Sequence, residues 1–180
     1  MMPRSWSSQK IGQNGCMETS WEDRIDQFWD QMDDSKPDLM LDQMRELIAQ
    51  RDVGDGAALF EWASVHDSLG RTRSAIELYR HAIEAGLDDE RAPQASLQLA
   101  SSLRAEGSPK ECLAVLDAWE ATGTDASAVV GQAPAVVRAL ALHDLGLTTF
   151  GLQVALMGLA ETLPRYSRSM KAYAEAMTKN

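Results

Sequence analysis

Three glycines set the frame for everything else in this chain. Gly70, Gly107 and Gly146 stand 37 and 39 residues apart, and one order of small and large side chains recurs around each. Seven residues before each glycine is an alanine: Ala63, Ala100 and Ala139. Five residues after it is a small residue (Ala75, Cys112, Gly151), followed by an aliphatic one (Ile76, Leu113, Leu152); nine after it come Tyr79, Leu116 and Ala155. Small residues at such places let two helices cross closely beside a turn, and large ones fill the gaps on either side. Around the first glycine, Leu59, Trp62, Ala63, His66 and Leu69, then Ala75, Ile76, Tyr79, Ala82 and Ile83, keep a period near 3.6. Asp55–Leu87 is therefore predicted as two antiparallel helices joined by a tight turn. A lone hairpin of this kind cannot bury its apolar face, so the pattern demands stacked copies.

The copies are expected at 55–88, 89–123 and 132–163. Asp88 and Asp89 are placed to cap the second copy, and its turn reads Gly107, Ser108, Pro109, Lys110, Glu111: an N-cap serine, a proline at the first helical position and a capping-box glutamate. Thr124 to Gly131 reads as a polar linker. Pro164 is expected to open a last, capping helix over 164–178, with Tyr166, Met170, Tyr173 and Met177 on one stripe. Ahead of the copies, 20–54 is expected to form a helix pair that packs on the array. Its first helix has capping-box spacing at Ser20 and Asp23 and an apolar stripe of Ile25, Phe28, Trp29 and Met32. Its second starts at Pro37 and carries Leu39, Met40, Met44, Leu47 and Ile48. Residues 1–19 show no periodicity and read as a disordered arm.

Charge and chemistry narrow the function. A formal charge of −10 repels phosphate backbones, and the one basic cluster, Arg165, Arg168 and Lys171, is short, so nucleic acid is not expected as a partner. No apolar run approaches the roughly 18–20 residues of a membrane span, and no signal peptide is evident, which gives the cytoplasm as the expected location and no membrane as a partner. Cys16 and Cys112 make neither a disulfide framework nor a metal site, and Cys112 reads as an inert core thiol. The pairs His66-Asp67 and His143-Asp144 raise a metal-dependent hydrolase as an alternative. Such chemistry needs further ligands than three histidines supply, so packed or rim histidines are the better reading, and His81 is read as a surface residue. Asp30, Asp33, Asp34 and Asp38 lack the ligand register of a calcium loop. Trp21, Trp29, Trp62 and Trp119 read as core. No catalytic residue, cofactor or metal is expected, and the chain is read as not an enzyme.

The first copy resembles a tetratricopeptide repeat, carried by Leu59, Trp62, Ala63, the Gly70 turn, Ala75, Tyr79 and Ala82. The second keeps Leu99, Ala100, Leu103, Gly107 and Leu116, with Cys112 for the usual small residue and Trp119 for the usual alanine; the third has Arg138 where a large apolar residue is expected. The spacings exceed the usual repeat of about 34 residues. The LASSLRAEG and RALALHDLG segments and the LPRYSRSMKAYA tail are similar to short bacterial proteins built on this repeat. The resemblance implies an all-α, right-handed α–α superhelix with a C-terminal capping helix. It also implies a scaffold that binds a protein or peptide partner in a concave groove lined by each hairpin's first helix. The groove positions would be Phe60, Ser64 and Asp67, then Leu97, Ser101 and Arg104, then Val136, Leu140 and His143. Because Phe60, Ser64, Leu97 and Ser101 stand where one subclass carries Lys and Asn, a clamp for a terminal carboxylate is not expected. The mostly apolar groove suits an amphipathic helix. A second reading is a homodimer formed through Phe28, Trp29 and Met32 across a two-fold.

Overall fold

The computed structural model describes residues 19–179, so the arm expected over 1–19 lies, except for Thr19, outside the described residues. Helices follow one another along the chain: α1 (Trp21–Asp30), α2 (Pro37–Ile48), α3 (Gly56–Ser68), α4 (Thr72–Ala85), α5 (Arg91–Ala105), α6 (Pro109–Glu120), α7 (Ser127–Val130), α8 (Ala133–Asp144), α9 (Thr148–Thr162) and α10 (Ser167–Ala176). No strand occurs among the described residues. The predicted copies are the hairpins α3–α4, α5–α6 and α8–α9, each packed on the next in an all-α superhelix, and α7 is a single turn inside the expected linker.

Local chemistry explains most of the boundaries. The Ser20 hydroxyl accepts from the Asp23 N–H at 3.0 Å, and the Asp23 carboxylate accepts from the Ser20 N–H at 3.1 Å, so the predicted capping box forms. Asp55 accepts from the Ala58 N–H at 2.9 Å and Asp88 from the Arg91 N–H at 2.7 Å, starting α3 and α5. The three register glycines have φ of 70°, 82° and 78°, a left-handed conformation that disfavours any side chain. One expected cap is corrected. Ser108 makes no side-chain cap bond, and Glu111 instead pairs with Arg80 of α4 at 3.1 Å; Pro109 alone supplies the start of α6.

The core has two parts. In the first, Phe60, Ala63, Ala75, Ile76, Tyr79 and Ala82 of hairpin one interlock with Ala95, Leu99, Ala100 and Leu103 of α5, with Cys112 and Leu116 behind them. Ala63, Ala75 and Ala100 have no exposed surface, as the close crossings require. Ala63→Leu is therefore expected to overpack the α3–α4 crossing and cost about 1–3 kcal/mol, read as a lower urea midpoint at unchanged slope.

The second part seats α1–α2 on α3, with Trp21, Ile25, Phe28, Met40, Leu41 and Met44 against Ala58 and Val65. The Trp21 indole donates to the Leu47 carbonyl at 3.0 Å, and the Trp29 indole donates to Glu61 at 2.8 Å. The N-terminal pair thus occupies the place of a further hairpin. Of the residues named for self-association, Phe28 is buried in this packing, and Trp29 and Met32 are partly covered by it.

The end of the chain departs from expectation in detail. The last helix starts at Ser167, not Pro164, after Tyr166 adopts a left-handed φ of 67°. It runs antiparallel to α9, with Lys171 paired to Glu161 at 2.5 Å and the Gln153 amide donating to Thr178 at 3.2 Å. Ala174 faces the packing, whereas Tyr166, Met170 and Tyr173 of the predicted stripe are exposed. The small side is inward because α10 lies close along α9, and the bulky side has no neighbour to fill.

Candidate functional site

The nine predicted groove residues occupy equivalent positions on α3, α5 and α8, but the structure treats the three helices differently. On α3, Phe60 is 0% exposed and Ser64 is buried, a correction to their reading as groove-facing. The reason is packing against α4 of the same hairpin and against α5 of the next. Phe60 packs with its ring centroid 6.1 Å from that of Tyr79, and the Tyr79 hydroxyl sits between Ser64 at 3.4 Å and Gln98 of α5. Asp67 is half-buried and accepts from the Ser102 hydroxyl of α5 at 3.0 Å. Burial pushes the Asp67 carboxyl up from its ordinary value, and the Ser102 bond offsets part of that.

On α5 the positions are partly covered. Leu97 is half-buried, Ser101 is exposed, and Arg104 reaches across to Asp144 of α8 at 2.7 Å. On α8 they are open: Val136 is 55% exposed, Leu140 42%, and His143 lies on the surface. The same register therefore changes meaning along the array. On α3 these positions join the core, on α5 Arg104 links to the next hairpin while Ser101 stays exposed, and on α8 Val136 and Leu140 form an exposed apolar surface near the Arg104–Asp144 pair.

Two features escaped sequence reasoning. Glu61, on α3, has no exposed surface, yet it carries a carboxylate. It is held by the Trp29 indole and by Arg91 at 3.3 Å, and Arg91 also bonds Asp88 at 2.7 Å and Glu22 of α1. Burial works against charge on Arg91, but the bonds to Glu22 and Asp88 and the field of Glu61 outweigh it and raise its pKa. This knot ties α1, α3 and α5 together at one end of the array. The second feature is a hollow of about 410 Å³ between α4, α5 and α6, lined by Ile83, Leu87, Pro93, Val115 and Trp119. Trp119, in place of the repeat's usual alanine, forms one wall.

Arg138, the residue that made the third copy look irregular, reaches back to Asp117 at 2.6 Å and Glu120 at 3.0 Å on α6. An ion pair stands there in place of an apolar plug. The Asp33–Asp38 region is a helix junction, with Asp33 accepting from Ser35 and Lys36 and held at a pKa of about 2 by those bonds.

His66 is a packing residue in geometry. Its ring lies 4.6 Å from that of Trp62, edge to face, and neither ring nitrogen has a hydrogen-bond partner. Burial depresses its pKa below 6.5, and Arg71 and Arg45 push the same way, so the pocket disfavours any cation. Among the described residues no group of three His, Cys, Asp or Glu is placed to hold a metal ion. The unfolded chain takes up a proton at His66 before the folded chain does, so stability is full above pH 6.5 and declines as pH falls through the folded pKa. Melting at about pH 7.5 and about pH 5.5 is expected to show a drop that His66→Phe reduces, because phenylalanine fills the site without titrating.

A family profile described as tetratrico peptide repeat matches residues 56–177, more than half of the chain. The chain belongs to the tetratricopeptide repeat family, a class that carries protein–protein interaction. No curated protein and no solved structure matches it. No helix among the described residues is long and apolar enough to cross a membrane.

Proposed function

We propose that this protein is a non-enzymatic interaction module that receives a segment of another protein on the free first-helix surface of its last hairpin. The observation that carries the reading is the contrast between Phe60 and Val136: one register position, fully covered on α3 and more than half exposed on α8. Val136 and Leu140 are one helical turn apart, so they present an apolar ridge that an amphipathic helix can pack against. Ser101 and the Arg104–Asp144 pair supply a polar rim on one side. The expected occupant is a protein or peptide segment, held without cofactor or metal, in a soluble compartment such as the cytoplasm.

Leu140→Glu places a charge in the middle of this ridge without touching the core. It is expected to abolish retention of a partner from native extract, a loss of at least about tenfold for a buried apolar contact replaced by a carboxylate, while the far-ultraviolet dichroism stays unchanged. Equal retention by the variant and the parent protein defeats the assignment.

A further inference from the structure

One register position sets hairpin two apart from its neighbours. Twelve residues after the three turn glycines stand Ala82, Trp119 and Gly158. Ala82 has no exposed surface, and a Cβ built on Gly158 falls 2.9 Å from the Ala135 Cβ of α8, so hairpins one and three are closely packed there. An indole does not fit such a place. Trp119 is half-buried and walls the hollow between α4, α5 and α6. Pro93 and Leu99, both buried, join the hollow to the core, and Ile83, Leu87 and Val115 add to an apolar lining. Two hydroxyls of the lining are committed to main chain: Ser96 donates to the Ala92 carbonyl at 3.1 Å and Thr122 to the Trp119 carbonyl at 2.7 Å. Water gains few bonds against such walls, and apolar cavities take up apolar molecules instead. Among the described residues that line the hollow, Asp89 alone is charged. It is exposed and holds no ion pair among the described residues, whereas its neighbour Asp88 is bound to Arg91.

We infer that the hollow is a binding site for a small organic ammonium ion, with an aromatic or aliphatic body inside and the charged end at the Asp89 carboxylate. Size selects a small molecule. About 410 Å³ lies in the range of small-molecule sites, and a helix, about 10 Å across with its side chains, does not enter a space closed on three sides by other helices. Charge selects a cation. Asp89 and the net charge of −10 repel an anion, and the indole wall adds attraction for a cation through its ring. The apolar lining selects the body, since a small hydrated ion gains nothing from Ile83, Val115 and Pro93. A bound molecule touches α4, α5 and α6 and so ties hairpin one to hairpin two. This site is separate from the Val136–Leu140 ridge on α8.

Titration of the full chain with phenethylammonium, phenethyl alcohol and hydrocinnamate, read at the indole N–H resonance of Trp119, tests this. The three probes share one body and differ in the charge of one end. The ammonium is expected to bind about threefold tighter than the alcohol, the gain of an exposed ion pair, and the carboxylate most weakly. Asp89→Asn, at an exposed position, is expected to bring the ammonium and the alcohol to one affinity. Ala118→Phe, on the exposed rim of the hollow, is expected to abolish binding of all three. Leu140→Glu is expected to bind the ammonium as the parent protein does, which separates this inference from the partner surface above. No movement of the Trp119 resonance with any probe at millimolar concentration overturns the inference. So does equal affinity for the three probes, an ammonium preference that survives Asp89→Asn, or unchanged binding by Ala118→Phe.

Discussion

Gly56→Ala is expected to destabilise the protein by about 3 kcal/mol or more, one of the two largest single-residue effects in the chain. The sign is informative, because replacing glycine by alanine inside a helix ordinarily stabilises it by about 1 kcal/mol. Gly56 is the first residue of α3, and a Cβ built there falls 2.0 Å from the Gly86 carbonyl oxygen and 3.4 Å from that of Ala82. Both obstacles are backbone, so no side chain can swing aside. The start of α3 and the end of α4 touch through their main chains, and any Cβ forces that end of the hairpin apart. For a chain of this size the cost corresponds to a fall in melting temperature of roughly 6–12 °C. Scanning calorimetry showing an unchanged or higher midpoint excludes the close approach.

The second large effect is expected at the buried ion pair. Arg91→Met leaves Glu61 with its carboxylate in the core and only the Trp29 indole of the bonds described above, and breaking a buried pair in this way costs about 3–5 kcal/mol. The partner change Glu61→Gln in the same chain removes the stranded charge. The double variant is therefore expected to recover part of the loss, and a double-mutant cycle in urea measures that recovery. The knot also joins α1 to α5 through Glu22, so Arg91→Met is expected to loosen the N-terminal hairpin first. Faster amide exchange across Trp21–Asp30 than across Thr72–Ala85 reports it. Equal stability of the parent protein and Arg91→Met means that the pair holds nothing together.

These two sites show where the sequence was readable and where it was not. The turn glycines were legible because glycine alone adopts their left-handed φ at no cost, and Ala63, Ala75 and Ala100 because a close crossing leaves room only for small residues. Glu61 was not legible. Nothing within a turn of it signals burial, and its partners Trp29 and Arg91 come from 32 residues before and 30 after. Nor was Gly56 legible, since a close approach between backbones leaves no trace in the residues beside it. The groove positions illustrate a third case. Phe60 and Val136 share one register, and packing against Tyr79 and α5, which the local pattern does not encode, makes the first core while the second stays exposed. For α10 the apolar stripe pointed to the wrong side, because the helix lies close along α9 with its small Ala174 inward, which periodicity does not encode.

Site-specific photocrosslinking compares the ridge with an exposed site elsewhere on the array. A benzophenone amino acid is placed at position 140 in one sample and at position 81, exposed on α4, in another, and each is irradiated in native cell extract. A partner surface on the α8–α9 hairpin predicts a discrete heterologous adduct from position 140 and none from position 81. The same adduct from position 81, or none from position 140, contradicts it.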